Sequence, residues 1–310
     1  MRHVIENGIL RVEADEEGAQ LWSIRDSGGA EYLWQGDPAY WSDRALNLFP
    51  YVARLYGGCY EMDGRRYRLP IHGFAPKSVF SLAAKTESRM AFELCDSEET
   101  RAQYPRRFAF RITYALEGNR IDVRFEVENR DDRTMHFGLG GHPGFCVPLE
   151  AGRRFEDYRL RFAAPCSPVR VGFSEDCFVT GPERPFALEE DRELPLRHAL
   201  FDDDAVVLRD MAREVMLFAP DGRRSVTVSF PDMPYLGIWH WPKKDAPYVC
   251  IEPWVSLPAR EGETAVFERQ ADLVHLPAGE VYRNTWSIVI DDGKRPEASV
   301  APMRSAMAQE

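Results

Sequence analysis

The chain of 310 residues lacks any apolar run near the ~20 residues needed to span a bilayer, and its polar start, "MRHVIENGIL", lacks the apolar core of a secretory signal. The expectation is a cytoplasmic protein with no membrane partner. It also lacks a C-x-x-C pair. The six cysteines (Cys59, Cys95, Cys146, Cys166, Cys177 and Cys250) are widely scattered, which argues against a zinc knuckle or a disulfide framework and makes most of them small core residues. Neither G-x-G-x-x-G nor G-x-x-x-x-G-K-[ST] occurs, so a backbone cradle for dinucleotide or nucleotide phosphates is unsupported. Basic residues are outnumbered, 39 against 50 acidic, for a formal net charge of −11. A broad basic face is therefore not expected, and neither is a nucleic-acid partner. There is no fixed-period repeat and no low-complexity linker.

What is present is a dominant period of two. In "RFAFRITYAL", Phe108, Phe110, Ile112, Tyr114 and Leu116 alternate with other positions; "EGN" follows, and "RIDVRFEVEN" resumes with Ile121, Val123, Phe125 and Val127. That grammar is a β-hairpin. It recurs in "REVMLFAPDGRRSVTVSF", where "PDG" joins two runs, and in a late strand carrying Trp286, Ile288 and Ile290. Helical patterning is confined to a single turn in "DSEETRAQYP", closed by Pro105. With 44% hydrophobic and 12% aromatic residues the chain can fill a large core. The fold expected is all-β: one large antiparallel β-sandwich over residues 1–293, with 294–310 a mobile tail.

Three stretches break the alternation: "NLFPYVARLYGGCYEMDGRRYRLPIHGFAPKSVF", "GLGGHPGF" and "YVCIEPW". They offer Arg54 and His72, then His142, then Glu252. Both histidines and the glutamate stand beside Gly or Pro, where a strand is expected to end or bend and aim a side chain into a cavity. Glu252 lies in an apolar, aromatic run where an ionised carboxylate is costly unless partnered, so its structural alternative is a buried ion pair with Arg54. His3, His136, His198, His240 and His275 read as structural or surface histidines. Of the aromatics Trp239, Trp241, Tyr248 and Trp254, core packing is the first expectation. Trp239 is the one favoured as an aromatic platform for a ligand, because "LGIWHWP" departs from period two.

Through "NLFPYVARL", "LPIHGFA", "AQYPRRFAFRITYAL", "GGHPGF", "CIEPW" and "LPAGEVYRNTW", the chain from about residue 5 to about 290 resembles the aldose 1-epimerases, or galactose mutarotase-like proteins. The resemblance implies a β-supersandwich with a sugar in an open cleft and a cofactor-free interconversion of the α and β anomers of a free aldose. It places the catalytic glutamate at Glu252 and the catalytic histidine at His142. The substrate-binding histidine falls at His72 and the arginine at Arg54. The substrate-binding aspartate falls in "LFDDDAVVL", where Asp202, Asp203 and Asp204 compete and Asp203 is favoured.

Anomers exchange when the ring hemiacetal opens to the aldehyde, the C1 end rotates, and the ring closes on the other face. Opening needs a base at the C1 hydroxyl and an acid at the ring oxygen, roles an ionised glutamate and an imidazolium can fill for ~10²–10⁴-fold each. No metal is expected, since no H-x-x-x-H or H-x-H spacing is present and a zinc site would need three distant segments. Two other readings stay open. A hexose-6-phosphate 1-epimerase would hold its phosphate with cations such as Lys77 and Arg44, and a carbohydrate-binding protein would hold a sugar without turning it over. The partner expected is a small-molecule aldose, and the assembly a monomer or homodimer.

Overall fold

A computed structural model describes residues 1–293; the expected tail at 294–310 lies outside the described residues. Among these there is one α-helix, Glu98–Gln103, at the predicted turn, with the Ser97 and Thr100 side chains forming its capping box. Nearly everything else regular is strand. The hairpin read from the sequence is Phe108–Glu117 paired antiparallel with Arg120–Asn129, and the latter pairs in turn with Val281–Asp291. The "PDG" hairpin joins Glu214–Phe218 to Ser225–Ser229. These strands sit together in a nine-stranded sheet.

A seven-stranded sheet packs against it. In chain order its strands are β1 (Ala45–Leu48), β2 (Gly140–Cys146), β3 (Val169–Arg170), β4 (Arg184–Pro185), β5 (Val206–Arg209), β6 (Tyr235–Trp239) and β7 (Tyr248–Trp254). Their spatial order is β4-β3-β5-β6-β7-β2-β1, and among the described residues the pairings within it are antiparallel. Departures from the antiparallel expectation lie elsewhere, where Ala265–Val266 runs parallel to Cys59–Met62 and Val179 makes a parallel bridge to Arg260.

The two faces of the seven-stranded sheet have different tasks, and residue parity shows it. Val206 and Leu208 on β5, Leu236 and Ile238 on β6, and Val249 and Ile251 on β7 join Phe110, Phe125 and Trp286 of the nine-stranded sheet in the main core. Their neighbours Val207, Trp239, Tyr248, Cys250 and Trp254 belong to a second cluster on the opposite face, covered by Trp34 and Trp41 from the loop that precedes β1. All seven residues of β7 are consequently buried. A strand dry on both faces reads as a continuous apolar run rather than an alternating one, which is why "YVCIEPW" broke the period.

The cysteines depart from expectation. Only Cys250 is buried, whereas Cys95 is exposed and the other four are half-buried. No helix among the described residues is long and apolar enough to cross a membrane.

Candidate active site

The second face of the seven-stranded sheet carries a cavity of about 360 Å³ whose lining includes Arg54, His72, His142, Asp203, Trp239 and Glu252. Three segments far apart in sequence thus meet in one place. His142 and Glu252 do not stand at strand ends, as the neighbouring Gly and Pro suggested. Both lie inside strands, β2 and β7. Partner pairs run Gly140↔Trp254 and then Gly144↔Cys250, a register that sets His142 opposite Glu252. Between those pairs the ladder lapses where Pro143 and Pro253 each lack a donor, while β1 supports the far edge of β2 through Leu46 opposite His142.

The glycines of "GGHPGF" serve neighbouring tryptophans rather than a sugar. A Cβ at Gly140 would lie 2.6 Å from Trp254 Cδ1 and 2.7 Å from the Pro253 carbonyl oxygen; one at Gly141 would lie 2.6 Å from Trp286 Cζ2 of the opposing sheet. On the other side of Glu252 its partner is Gly237 of β6, where a side chain would meet the Trp254 ring at 2.8 Å.

His142 Nε2 and Glu252 Oε2 are 3.3 Å apart, with the side chains 8% and 2% exposed. The contact is close without hydrogen-bond alignment, and neither Glu252 Oε2 nor His142 Nδ1 has a hydrogen-bond partner among the described residues. The expected ion pair of Glu252 with Arg54 is not the arrangement found: Glu252 faces His142, and Arg54 is an exposed cation on the cavity wall. Burial raises the Glu252 carboxyl well above its ordinary value, and nearby Asp204 adds to this, while the neighbouring Trp254 indole opposes it without reaching hydrogen-bond geometry. Burial likewise lowers His142 well below the usual imidazole range, reinforced by His72. Burial thus pushes the pair toward a protonated carboxyl beside a neutral imidazole, opposite in direction to the charges expected from sequence. The physical reason is that a dry site disfavours charge on either partner.

His72 is positioned differently, in a tight turn at φ 65°. Its backbone amide donates to the Ala53 carbonyl at 2.8 Å, and the Ala53 amide donates back to His72 Nδ1 at 3.2 Å. Neutral His72 is thereby fixed with its proton on Nε2. Burial and the Arg54 charge push its pKa down to about 4.

Both Asp203 and Asp204 line the cavity. Asp204 accepts from the Cys177 thiol at 2.9 Å and from the Ala205 amide at 2.8 Å, which leaves Asp203 as the uncommitted carboxylate. Asp202 lines only the neighbouring cavity. Trp239 is half-buried and packs edge-on to His142, with ring centroids 5.6 Å apart at 80°. Sequence reasoning missed Trp41, whose ring lies tilted against His142 at 4.9 Å and 31°. The available signal was an aromatic in the otherwise polar loop "DPAYWSDR". It also missed Cys250, whose thiol lies with the His142 and Glu252 ligand atoms inside 4.8 Å. These side chains from adjacent strands could gather around a cation, a set that within-element spacing does not reveal. Burial holds the Cys250 thiol far above its ordinary pKa, so it is a thiol rather than a thiolate ligand. The histidines read as structural lie outside the cavity lining and have partners of their own, as in His136 with His275 and His198 with His240.

The family profile described as aldose 1-epimerase matches residues 1–288. The chromosomal LacX protein of Lactococcus lactis subsp. lactis is 32% identical over 295 residues, covering 92% of this chain and 98% of that protein. A galactose mutarotase related enzyme from Lactobacillus acidophilus superposes with a TM-score of 0.90 at 32% identity, covering 94% of this chain and 98% of that one. A galactose mutarotase-like protein from Lactobacillus casei ATCC 334 does so with a TM-score of 0.87 at 30% identity, covering 94% and 100%.

Proposed function

The chain belongs to the aldose 1-epimerase family, and from that premise we propose that it interconverts the α and β anomers of a free, uncharged aldose by proton transfer between the sugar, Glu252 and His142, without a cofactor. The observation that carries this reading is the 3.3 Å His142–Glu252 contact at the floor of a cavity of monosaccharide scale. The pair holds one transferable proton and one lone pair, which is what ring opening requires.

Burial favours that proton on Glu252. When a sugar enters, its hydroxyls donate to the carboxylate, offset the burial penalty, and let the proton pass to His142. Glu252 then takes the proton of the C1 hydroxyl. The C1–O5 bond breaks with its electron pair going to O5, which receives the proton of His142, and C1 becomes the aldehyde. The products are a protonated Glu252 and a neutral His142, the very state the dry pocket favours. After rotation about C1–C2 the roles exchange: His142 withdraws the O5 proton, O5 attacks the other face of C1, and Glu252 returns a proton to the C1 oxygen. His72, Arg54 and Asp203 hold the remaining hydroxyls, and Trp239 offers its ring to the apolar face of the pyranose.

The phosphorylated-sugar reading has less support. Lys77 lines the cavity but is bonded to Asp43 at 2.7 Å. Arg44 lies outside the cavity, 3.9 Å above the Trp22 ring and bonded to Gln35 and to the Trp22 carbonyl.

Polarimetry of freshly dissolved α-D-galactose and α-D-glucose tests the activity. Catalysed approach to equilibrium is expected, with Glu252→Gln and His142→Asn each slowing it by roughly 10²-fold or more. Equal rates with and without protein across a panel of aldoses would leave a sugar-binding protein instead.

A further inference from the structure

Beside the catalytic cavity lies a second one of about 870 Å³. The two share Phe173, Asp203 and Asp204 as a common wall, and the chain after β6 passes from one to the other: Trp241 lines the first, Pro242 and Lys243 the second. The groove follows the sheet. Glu252 is on β7, whereas Arg170 on β3 and Arg184 on β4 lie three and four strand positions away, so the groove extends up to about 19 Å at ordinary strand spacing. One hexose cannot fill that length, and the joint volume is beyond the range of roughly 300–1,000 Å³ typical of a small-ligand site.

The chemistry of the second cavity is unlike that of the surface around it. Its wall carries Arg170, Arg184 and Lys243 together with five carboxylates from the 175–176 and 202–204 segments. Among the described residues none of these eight is in an ion pair, although neighbouring charges pair readily, as in Arg209 with Glu183 and Arg159 with Glu189. Arg170 and Arg184 are even direct cross-strand partners, an arrangement of like charges that weakens a ladder. Donors and acceptors held apart from one another suit a ligand whose groups both donate and accept, which is the character of vicinal hydroxyls. An anionic ligand would instead face the five carboxylates. Trp241, 42% exposed at the junction, is an aromatic face left open to solvent, of the kind on which the apolar side of a pyranose stacks.

We propose that this second cavity is a subsite for a second pyranose ring, and that the preferred substrate is the reducing end of a di- or oligosaccharide, stacked past Trp241 and hydrogen-bonded by Arg170 and Arg184. The proposal rests on the epimerase reading for its catalytic consequence, but not for the existence of the subsite.

Anomer exchange of maltose, cellobiose and lactose, measured by NMR beside glucose and galactose, tests it. At least one disaccharide should exceed its own reducing-end monosaccharide in kcat/KM by about tenfold. The Arg170→Ala/Arg184→Ala pair should remove that advantage and leave the monosaccharide within about twofold, whereas Trp241→Ala, at the junction with the catalytic cavity, should lower kcat/KM for the disaccharide at least about fivefold more than for the monosaccharide. Disaccharides turned over no better than monosaccharides by the wild type would overturn the proposal. If no sugar of either size is turned over, tryptophan-fluorescence titration with the same disaccharides decides: binding that Trp241→Ala weakens about tenfold keeps the subsite and removes only the epimerase reading, whereas no binding removes both.

Discussion

Burial lifts the Glu252 carboxyl and depresses the His142 imidazole, so the two titrate as a pair that holds a single proton between the lowered and the raised value. Activity should therefore show a broad plateau in kcat/KM against pH. A second proton enters only well below 6.5 and abolishes the base; the single proton leaves only well above 4.5 and abolishes the acid. A narrow bell centred near either ordinary value would contradict this arrangement. Stability gives an independent reading of the same residue. Above pH 4.5 the unfolded chain ionises Glu252 while the folded chain keeps it protonated, so folding loses stability with rising pH, at most about 1.4 kcal/mol per pH unit, up to the raised folded value. Glu252→Gln has no such loss. In urea titrations it should be more stable than wild type at pH 8, and the gap should close toward pH 4.5, while the same substitution removes catalysis.

At the level of elements, the site depends on the adjacent strands β2, β7 and β6 and on what their glycines leave open. Gly237 of β6 is the cross-strand partner of Glu252, and an added methyl would lie 2.8 Å from Trp254 Cζ2 and 3.3 Å from Glu252 Cβ. Gly237→Ala should cost about 1–3 kcal/mol, since the buried indole has nowhere to move without strain, and kcat should fall with it as Glu252 is displaced. Thermal melts and the anomerisation rate check both halves. A variant with unchanged rate and lowered melting temperature would show that β6 supports the fold but not the geometry of the pair. The turn holding His72 is a different device, a left-handed residue cross-bonded to Ala53. His72→Ala leaves the Ala53 amide without its acceptor and should raise KM at least as much as it lowers kcat.

For the molecule as a whole, burying imidazoles makes the fold sensitive to mild acid. His240 is fully buried between the sandwich edge and His198, and burial brings its pKa to about 4, assisted by His198 and opposed by its bond to the Trp241 carbonyl and by Asp202. Between pH 6.5 and about 4 the unfolded state takes up a proton that the folded state refuses. Stability should thus fall as pH falls through that window, by roughly 2–4 kcal/mol from this residue. Urea midpoints at pH 7, 5.5 and 4.5 measure the decline. His240→Gln should show a shallower slope than wild type, whatever its stability at pH 7, because the amide does not titrate.

The sequence by itself determined the sandwich, and it singled out the residues that folding brings to one cavity. Period-two alternation at Phe108 to Leu116 and Ile121 to Val127 needs only one buried face to declare a strand, and Arg54, His72, His142 and Glu252 stood out because their types did not fit the runs around them. The charge states, the strand placement of His142 and Glu252, and the purpose of Gly140 and Gly141 were not legible. Each of these depends on groups that no local window contains: the opposing sheet that supplies Trp286 and the loop tryptophan Trp41 that covers His142. Choosing among Asp202, Asp203 and Asp204 likewise required the cavity wall itself, where Cys177 engages Asp204 and leaves Asp203 free. A residue's type and rhythm record whether it prefers water. Its proton affinity and its neighbours across a sheet are set by the low-dielectric surroundings that only folding assembles.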